Sequence, residues 1–154
     1  MWKGFPRLPE IAVCAAMAAC GGSDATPTNP SPARYDGQWR GTTSQGRPIS
    51  FTVSSDQKVT AMSIGYVFGQ CSGVNSFSNL NLDIGLPPTF PGVPRAPTPY
   101  PGPGFGYGSG SPEAPNYTQV YGWFTSSTTA SGSMIFGNYT GCGNSFGIWT
   151  AEKQ

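Results

Sequence analysis

The stretch Ile49-Ser50-Phe51-Thr52-Val53, followed by Ser54-Ser55-Asp56-Gln57-Lys58 and by Val59 to Tyr66, predicts a β-hairpin. In the first segment every second residue is apolar, so these apolar residues share one face of a strand. In the last segment Met62, Ile64 and Tyr66 share a face in the same way. Val59 is out of phase with them, which predicts a β-bulge near Thr60 or Ala61.

Other segments of the chain have the same texture, with short runs of Thr, Val, Ile and aromatic residues bounded by Gly, Ser, Asn and Asp. The further strands predicted from these runs are Asp36 to Thr42, Asn79 to Ile84, Thr118 to Thr125, Ser131 to Phe136 and Phe146 to Ala151. No window keeps a helical period of 3.6 residues. The sequence therefore predicts an all-β fold, a small antiparallel barrel or sandwich, over residues 35–154.

A long Pro/Gly-rich loop interrupts this pattern at residues 86–115, which contain ten prolines and six glycines. Prolines at every third position in its first half favour a polyproline II arm, and alternating glycines in its second half favour a flexible tip. Such segments dock onto aromatic-lined grooves of partners. The candidate interaction residues of the loop are Phe90, Arg95, Tyr100, Phe105 and Tyr107. A surface excursion without function is the alternative.

The N-terminus has the layout of an export signal. Lys3 and Arg7 precede an uncharged apolar run from Ile11 to Ala19, and nine residues are too few to span a bilayer, which takes about 20. Residues 1–19 are therefore interpreted as a signal peptide.

The end of this segment, Met17-Ala18-Ala19-Cys20, resembles the lipobox of bacterial lipoprotein precursors, with Met17 where leucine is usual. The resemblance implies cleavage before Cys20 and lipidation of its thiol, so that the partner of the N-terminus is a membrane of the cell envelope. Residues 20–34 would then form the lipidated N-terminus and a flexible, proline-containing tether. Ordinary secretion, with Cys20 left as a thiol, is the alternative.

The cysteine count agrees with lipidation. Cys14 leaves with the signal, and a lipid on Cys20 leaves Cys71 and Cys142 as an even pair, as expected of an exported chain. We therefore predict a Cys71–Cys142 disulfide. Two isolated cysteines without histidine do not make a four-ligand metal site, and neither a metal nor another cofactor is predicted.

Composition disfavours catalysis and nucleic-acid binding. The chain has no histidine, and its eight Lys and Arg stand against seven Asp and Glu without a basic cluster. Only Asp36 and Asp83 are placed where a carboxylate could face a concave site, and nothing in their spacing pairs them. We predict that the protein is not an enzyme.

The segment Gly37-Gln38-Trp39-Arg40-Gly41-Thr42 resembles the Gly-x-Trp opening strand of calycin barrels, the lipocalin and avidin group. Trp123 and Trp149 recur on later strands, which suits a closed barrel and equally any small aromatic core, and a pocket lined by the three tryptophans would favour ligand binding. The resemblance implies a barrel that binds a small apolar ligand, with Trp39 plugging one end. This is the alternative function. The leading interpretation is an envelope lipoprotein, anchored by Cys20, that acts as a non-catalytic binding or interaction module toward an envelope protein or glycan.

Overall fold

The protein is described by a computed structural model that covers residues 33–85 and 102–154. These residues form nine β-strands and no helix. The strands are β1 (Gly37–Thr43), β2 (Pro48–Val53), β3 (Lys58–Phe68), β4 (Cys71–Phe77), β5 (Leu82–Asp83), β6 (Gly104–Ser109), β7 (Tyr117–Phe124), β8 (Thr129–Tyr139) and β9 (Gly143–Lys153). The predicted all-β, antiparallel fold is confirmed. The predicted signal peptide, Cys20 and most of the tether lie outside the described residues.

The strands form one antiparallel sheet that curls into a half-barrel, in the order β4-β3-β2-β1-β9-β8-β7-β6. The short strand β5 pairs with β3 beyond the end of β4. Strands β1 and β9 pair at the centre, and β4 and β6 form the two edges. Beyond the end of β4, an antiparallel bridge joins Gly85, which follows β5, to Gly104 of β6. The half-barrel is therefore closed at that end and open between β4 and β6 at the other.

The hairpin of β2 and β3 forms as the alternation predicts. Ile49, Phe51 and Val53 are each at most 2% exposed. Thr52 pairs with Ala61 while Val53 pairs with Val59, so Thr60 is the extra residue of a β-bulge. The bulge returns Val59 to the buried face, and the predicted irregularity is confirmed.

Aromatic rings fill the interior at the closed end. Trp39 stacks on Phe51 with ring centroids 5.5 Å apart, and Phe124 and Trp149 pack edge-on against the same phenylalanine. The Trp39 indole N–H donates to the carbonyl of Tyr35 at 2.8 Å, so its one polar group is satisfied. The apolar area buried here is the main stabilisation of the sheet.

Two segments fold differently from the sequence prediction. The predicted strand from Asn79 to Ile84 is reduced to Leu82–Asp83, because Asn79 adopts a φ of 55°, in the left-handed region that a strand does not allow. The predicted loop 86–115 contains β6, whose Phe105 is fully buried. The prediction of Phe105 as an exposed interaction residue was wrong: its ring lies against Gly122, where a side chain would collide with it.

The predicted disulfide is present between Cys71 and Cys142, with 5.9 Å between the Cα atoms. It joins the start of β4 to the turn between β8 and β9. The β3–β4 turn consists of Gly69 and Gln70, and the φ of Gly69 is 55°, which fits a two-residue turn with glycine in its first position. The disulfide therefore fixes edge strand β4 at the open end of the half-barrel.

Candidate functional site

A cleft of about 370 Å³ opens between edge strand β4 and the strands on the opposite side of the half-barrel. From β3 and β4 it is lined by Tyr66 and by the segment Val74 to Phe77. Its other wall comes from later in the chain, and consists of Ser109, Asn116, Thr118 and Tyr139. The cleft lies at the open end, near the disulfide.

Tyr139 reaches this cleft because of a second β-bulge. Phe136 pairs with Ser145, but Tyr139 pairs with Gly143, so β8 carries one residue more than β9 in between. Three residues on from Phe136, Tyr139 would face outward in a regular strand, and the extra residue turns it inward. Asn138 provides the required backbone, with a φ of 56°. The side-chain amide of Asn138 also donates a hydrogen bond to the carbonyl of Pro112 at 2.7 Å.

Three polar side chains meet at the floor of the cleft. The Asn75 amide nitrogen donates to Thr118 Oγ1 at 2.8 Å and to Tyr139 Oη at 2.5 Å. Thr118 Oγ1 and Tyr139 Oη are 3.0 Å apart and share a further hydrogen bond. These contacts use both N–H groups of the amide. Within the described residues no hydrogen bond reaches Asn75 Oδ1, which remains as an acceptor for a ligand.

An aromatic cluster holds this polar network in place. Tyr66, Phe68 and Phe136 each pack on the Tyr139 ring, with centroid distances of 5.3, 5.4 and 5.8 Å. Burial raises the pKa of the Tyr66 hydroxyl, and the nearby Tyr139 adds to the effect. The Tyr66 hydroxyl is therefore protonated at neutral pH and can donate a hydrogen bond.

The described lining residues of the cleft are uncharged. Among them are no Asp, Glu, Lys, Arg or Cys, and their polar groups are hydroxyls and amides. Among residues 33–85 and 102–154, no group of three or more metal-ligating side chains occurs. Amide and hydroxyl groups beside aromatic rings suit a ligand that has both polar and apolar faces.

The three tryptophans predicted to line a ligand pocket do not come together. Trp39 and Trp149 are at most 1% exposed and belong to the packed core. Trp123 alternates with the buried Gly122 and Phe124, so its side chain is on the opposite face of β7, half-buried. The interpretation of Trp39 as a structural residue therefore agrees with its position.

The candidate residues of the Pro/Gly-rich loop also separate. Phe90, Arg95 and Tyr100 lie outside the described residues. Tyr107 faces inward from β6 and packs on Phe77 of β4, with ring centroids 4.4 Å apart. It is half-buried, so it joins the two edge strands instead of extending from a flexible tip.

Sequence reasoning missed the cleft because its key residue types are common in turns and exposed faces. Asn75 is in a segment rich in Ser, Gly and Asn, where no apolar alternation indicates a strand. The sequence signal for β4 is the pair Gly69-Gln70, which fits a two-residue hairpin turn. The strand segments that it joins, Met62–Phe68 and Cys71–Phe77, are equally long. Once that hairpin is recognised, Asn75 falls opposite Ile64 and therefore on the inner face.

Comparison of the chain with protein-family models, with curated proteins and with solved structures gives no match. Among the described residues, no helix has the length and apolar character needed to cross a membrane.

Proposed function

We propose that this chain is an envelope lipoprotein, anchored through Cys20, whose β-domain is a non-catalytic binding module. The lipobox-like segment at residues 17–20 and the tether that follows support the anchor. The Cys71–Cys142 disulfide supports export, because disulfides persist in oxidising compartments. The binding role is supported by the lack of histidine in the chain and by the uncharged hydroxyl and amide groups among the described lining residues of the cleft.

The binding site of the proposed module is the cleft beside β4, and its ligand is a neutral polyhydroxylated molecule such as a glycan segment. The observation that carries this proposal is the network of Asn75, Thr118 and Tyr139, which presents the free amide oxygen of Asn75 next to aromatic rings. Sugars combine hydroxyl groups with apolar C–H faces, and such sites bind them through hydrogen bonds together with ring contacts. The lack of charge in the lining favours a neutral ligand over an ionic one.

The ligand proposal is tested by isothermal titration of the purified protein with neutral oligosaccharides, including fragments of the cell-wall glycan. Asn75→Ala is expected to weaken binding at least about tenfold, since one buried hydrogen bond to a neutral partner contributes about 1 kcal/mol and the variant also disorders the network. Gln38→Ala is the matched control, because it removes an exposed side-chain amide that does not line the cleft. Equal binding by both variants, or no binding of any glycan, contradicts the proposed ligand.

The anchor is tested separately, by the intact mass and N-terminal peptide map of protein from membrane and soluble fractions. A diacylglyceryl group on Cys20 is the expected result, and Cys20→Ser is expected to move the protein to the soluble fraction. An unmodified N-terminus near Ala19 in the wild-type protein refutes the anchor and leaves a secreted domain.

A further inference from the structure

Edge strand β4 carries a row of unpaired backbone groups. In the hairpin with β3, the residues that flank the two-residue turn, Phe68 and Cys71, form a hydrogen-bonded pair. Hydrogen-bonded and non-hydrogen-bonded pairs alternate along the ladder from there. Gly73, Asn75 and Phe77 therefore also direct their peptide groups toward β3. Val67 agrees with this register, since its N–H points away from β4 and donates to the Gln45 side chain at 2.9 Å.

The remaining residues of β4, namely Ser72, Val74 and Ser76, therefore direct their N–H and C=O groups away from the sheet. All three residues are exposed, and Val74 is 58% exposed. Among the described residues, none of the backbone hydrogen bonds outside the strand pairs reaches them. Within the described residues, these groups therefore have no strand partner on the side away from β3.

As far as residues 33–85 and 102–154 extend, this edge shows none of the features that prevent strand association in other proteins. Natural edge strands are protected by charged side chains, proline, bulges or a covering segment. The segment Cys71–Phe77 contains neither a charged residue nor a proline, and its pairing with β3 is regular along its whole length. The disulfide at Cys71 holds one end in place, so pairing would order little additional backbone.

The edge is also self-complementary. Val74 is the central residue of the seven-residue strand, with Ser72 and Ser76 at equal distances on either side. In an antiparallel pair of two copies centred on Val74, Val74 pairs with itself and Ser72 pairs with Ser76 of the other copy. Every unpaired peptide group of one edge then faces a partner on the other, as an isologous twofold interface requires.

We propose that two copies of this chain associate through β4, antiparallel and centred on Val74, to form one continuous sheet. The pairing also accounts for an exposed apolar strip on the outer face. Val67 is 36% exposed and lies diagonally beside Val74 across the β3–β4 pair. In the dimer the two valines of each copy form one line across the junction, where they cover each other.

The dimer is weak in dilute solution and favoured at a membrane. A single strand pair buries less than the roughly 1,200 Å² typical of stable complexes. A lipid anchor concentrates the chains in a plane, which raises the effective concentration of one edge near another. The membrane step rests on the proposed anchor, and Val74 and Ser76 also line the cleft, so a partner strand and a cleft ligand compete for this edge. Sedimentation of the purified protein without ligand tests the dimer independently of both.

The test uses the full chain in membranes of the bacterial cells that express it, with Val74→Cys and Ile148→Cys compared under mild copper–phenanthroline oxidation. Ile148 is the matched control, because it is 57% exposed on a central strand instead of an edge. We expect a disulfide-linked dimer from Val74→Cys, with peptide mapping that joins residue 74 to residue 74. The pairing across the twofold places the two Cα atoms about 5.5 Å apart, within disulfide reach. Equal crosslinking of both variants, or crosslinking of neither, overturns the proposal.

Sedimentation equilibrium of purified protein gives a second readout that needs no new cysteine. Val74→Pro removes one outward N–H while an edge position tolerates the ring, and is expected to weaken association at least several-fold. Val74→Thr keeps the N–H and the β-branch, and is expected to associate like the wild type. Should Val74→Pro fail to fold, the wild type and Val74→Thr still decide the matter, since a wild type that remains monomeric up to millimolar concentration overturns the proposal.

Discussion

Gly132 of β8 lies opposite Trp149 of β9, and the indole ring of Trp149 occupies the space where a side chain of Gly132 would be. A Cβ at Gly132 would overlap ring atoms Cε2 and Cζ2 and also the carbonyl oxygen of Tyr121. The absence of a side chain at one residue is therefore what allows the other to be fully buried in the core.

Gly132→Ala is accordingly expected to lower the free energy of unfolding by about 1–3 kcal/mol, the usual cost of overpacking. Neither the ring nor the Tyr121 backbone can move away without disturbing the sheet. Urea denaturation followed by tryptophan fluorescence measures the change. Gly85→Ala is the control, since a Cβ there meets no atom within 4 Å, and a loss as large in the control would contradict this explanation.

The bulge at Asn138 is expected to determine the position of Tyr139. Asn138→Gly allows a positive φ, whereas Asn138→Val places a β-branched residue in the left-handed region, at a cost of about 1–2 kcal/mol. Both variants lose the hydrogen bond to Pro112, so their difference isolates the backbone effect. We expect the valine variant alone to lose binding at the cleft, measured by the same titration as for Asn75→Ala. Equal stability of the two variants would show that the left-handed backbone is not required.

The two halves of the Pro/Gly-rich segment are expected to differ in their effect on folding. Replacing residues 86–101 with a short glycine-serine linker keeps β6 and the Gly85–Gly104 bridge, so the domain is expected to remain folded. Replacing residues 86–115 also removes the fully buried Phe105 and an edge strand. Loss of this phenylalanine alone is expected to cost about 3–5 kcal/mol. A cooperative thermal transition in the longer deletion at the wild-type temperature would refute the role of β6 in the core.

Loss of the disulfide is expected to destabilise the domain. The Cys71 and Cys142 positions are 71 residues apart, and the double variant C71S/C142S is expected to lose about 2–5 kcal/mol, as native disulfides in small exported domains do. Urea unfolding of the wild type with and without reductant provides the matched comparison. An unchanged midpoint in the variant would mean that packing alone holds β4 in place.

Alkaline pH is expected to destabilise the domain through Tyr66. Burial raises the pKa of its hydroxyl above the ordinary value of 10.0, and Tyr139 raises it further. Because the folded pKa is the higher one, the stabilising contribution is complete below pH 10 and is lost as the pH rises through the folded pKa. Tyr66→Phe keeps the ring and removes this titration, so its stability should fall less steeply in alkali. Urea midpoints from pH 7 to about pH 11 compare the two proteins, and identical slopes would exclude Tyr66 as the cause.

The strand pattern was predictable where burial imposes alternation. The β2–β3 hairpin, including its bulge at Thr60, follows from the phase of Val59 relative to Met62 and Ile64. Strands β4 and β6 were not predicted, because neither shows the usual apolar alternation: the inward positions of β4 include Gly73 and Asn75, and β6 alternates glycine with Phe105 and Tyr107. There the fold depends on long-range partners, such as Gly122 for Phe105, which a local pattern does not contain.

The cleft was less accessible to prediction than the fold. Asn75, Thr118 and Tyr139 are 43 and 21 residues apart along the chain, and they meet only because the half-barrel brings β4 over β7 and β8. Tyr139 further requires a bulge at a single asparagine. The disulfide, by contrast, followed from the cysteine count once Cys14 was assigned to the signal peptide and Cys20 to the lipid, because that prediction needed an even number of cysteines and no geometry.

The central position of β1 has a mechanical consequence for an anchored domain. The chain enters the described fold beside Gly37, at one end of β1, while the cleft is at the other end of the sheet. Tension between a membrane and a ligand in the cleft would then act along the axis of β1, which is paired with β2 on one side and β9 on the other. Hydrogen bonds perpendicular to that axis are loaded in shear and resist together instead of opening one after another. The strand order would thus keep the sheet intact under a pulling force if the proposed anchor and the proposed cleft ligand were both engaged.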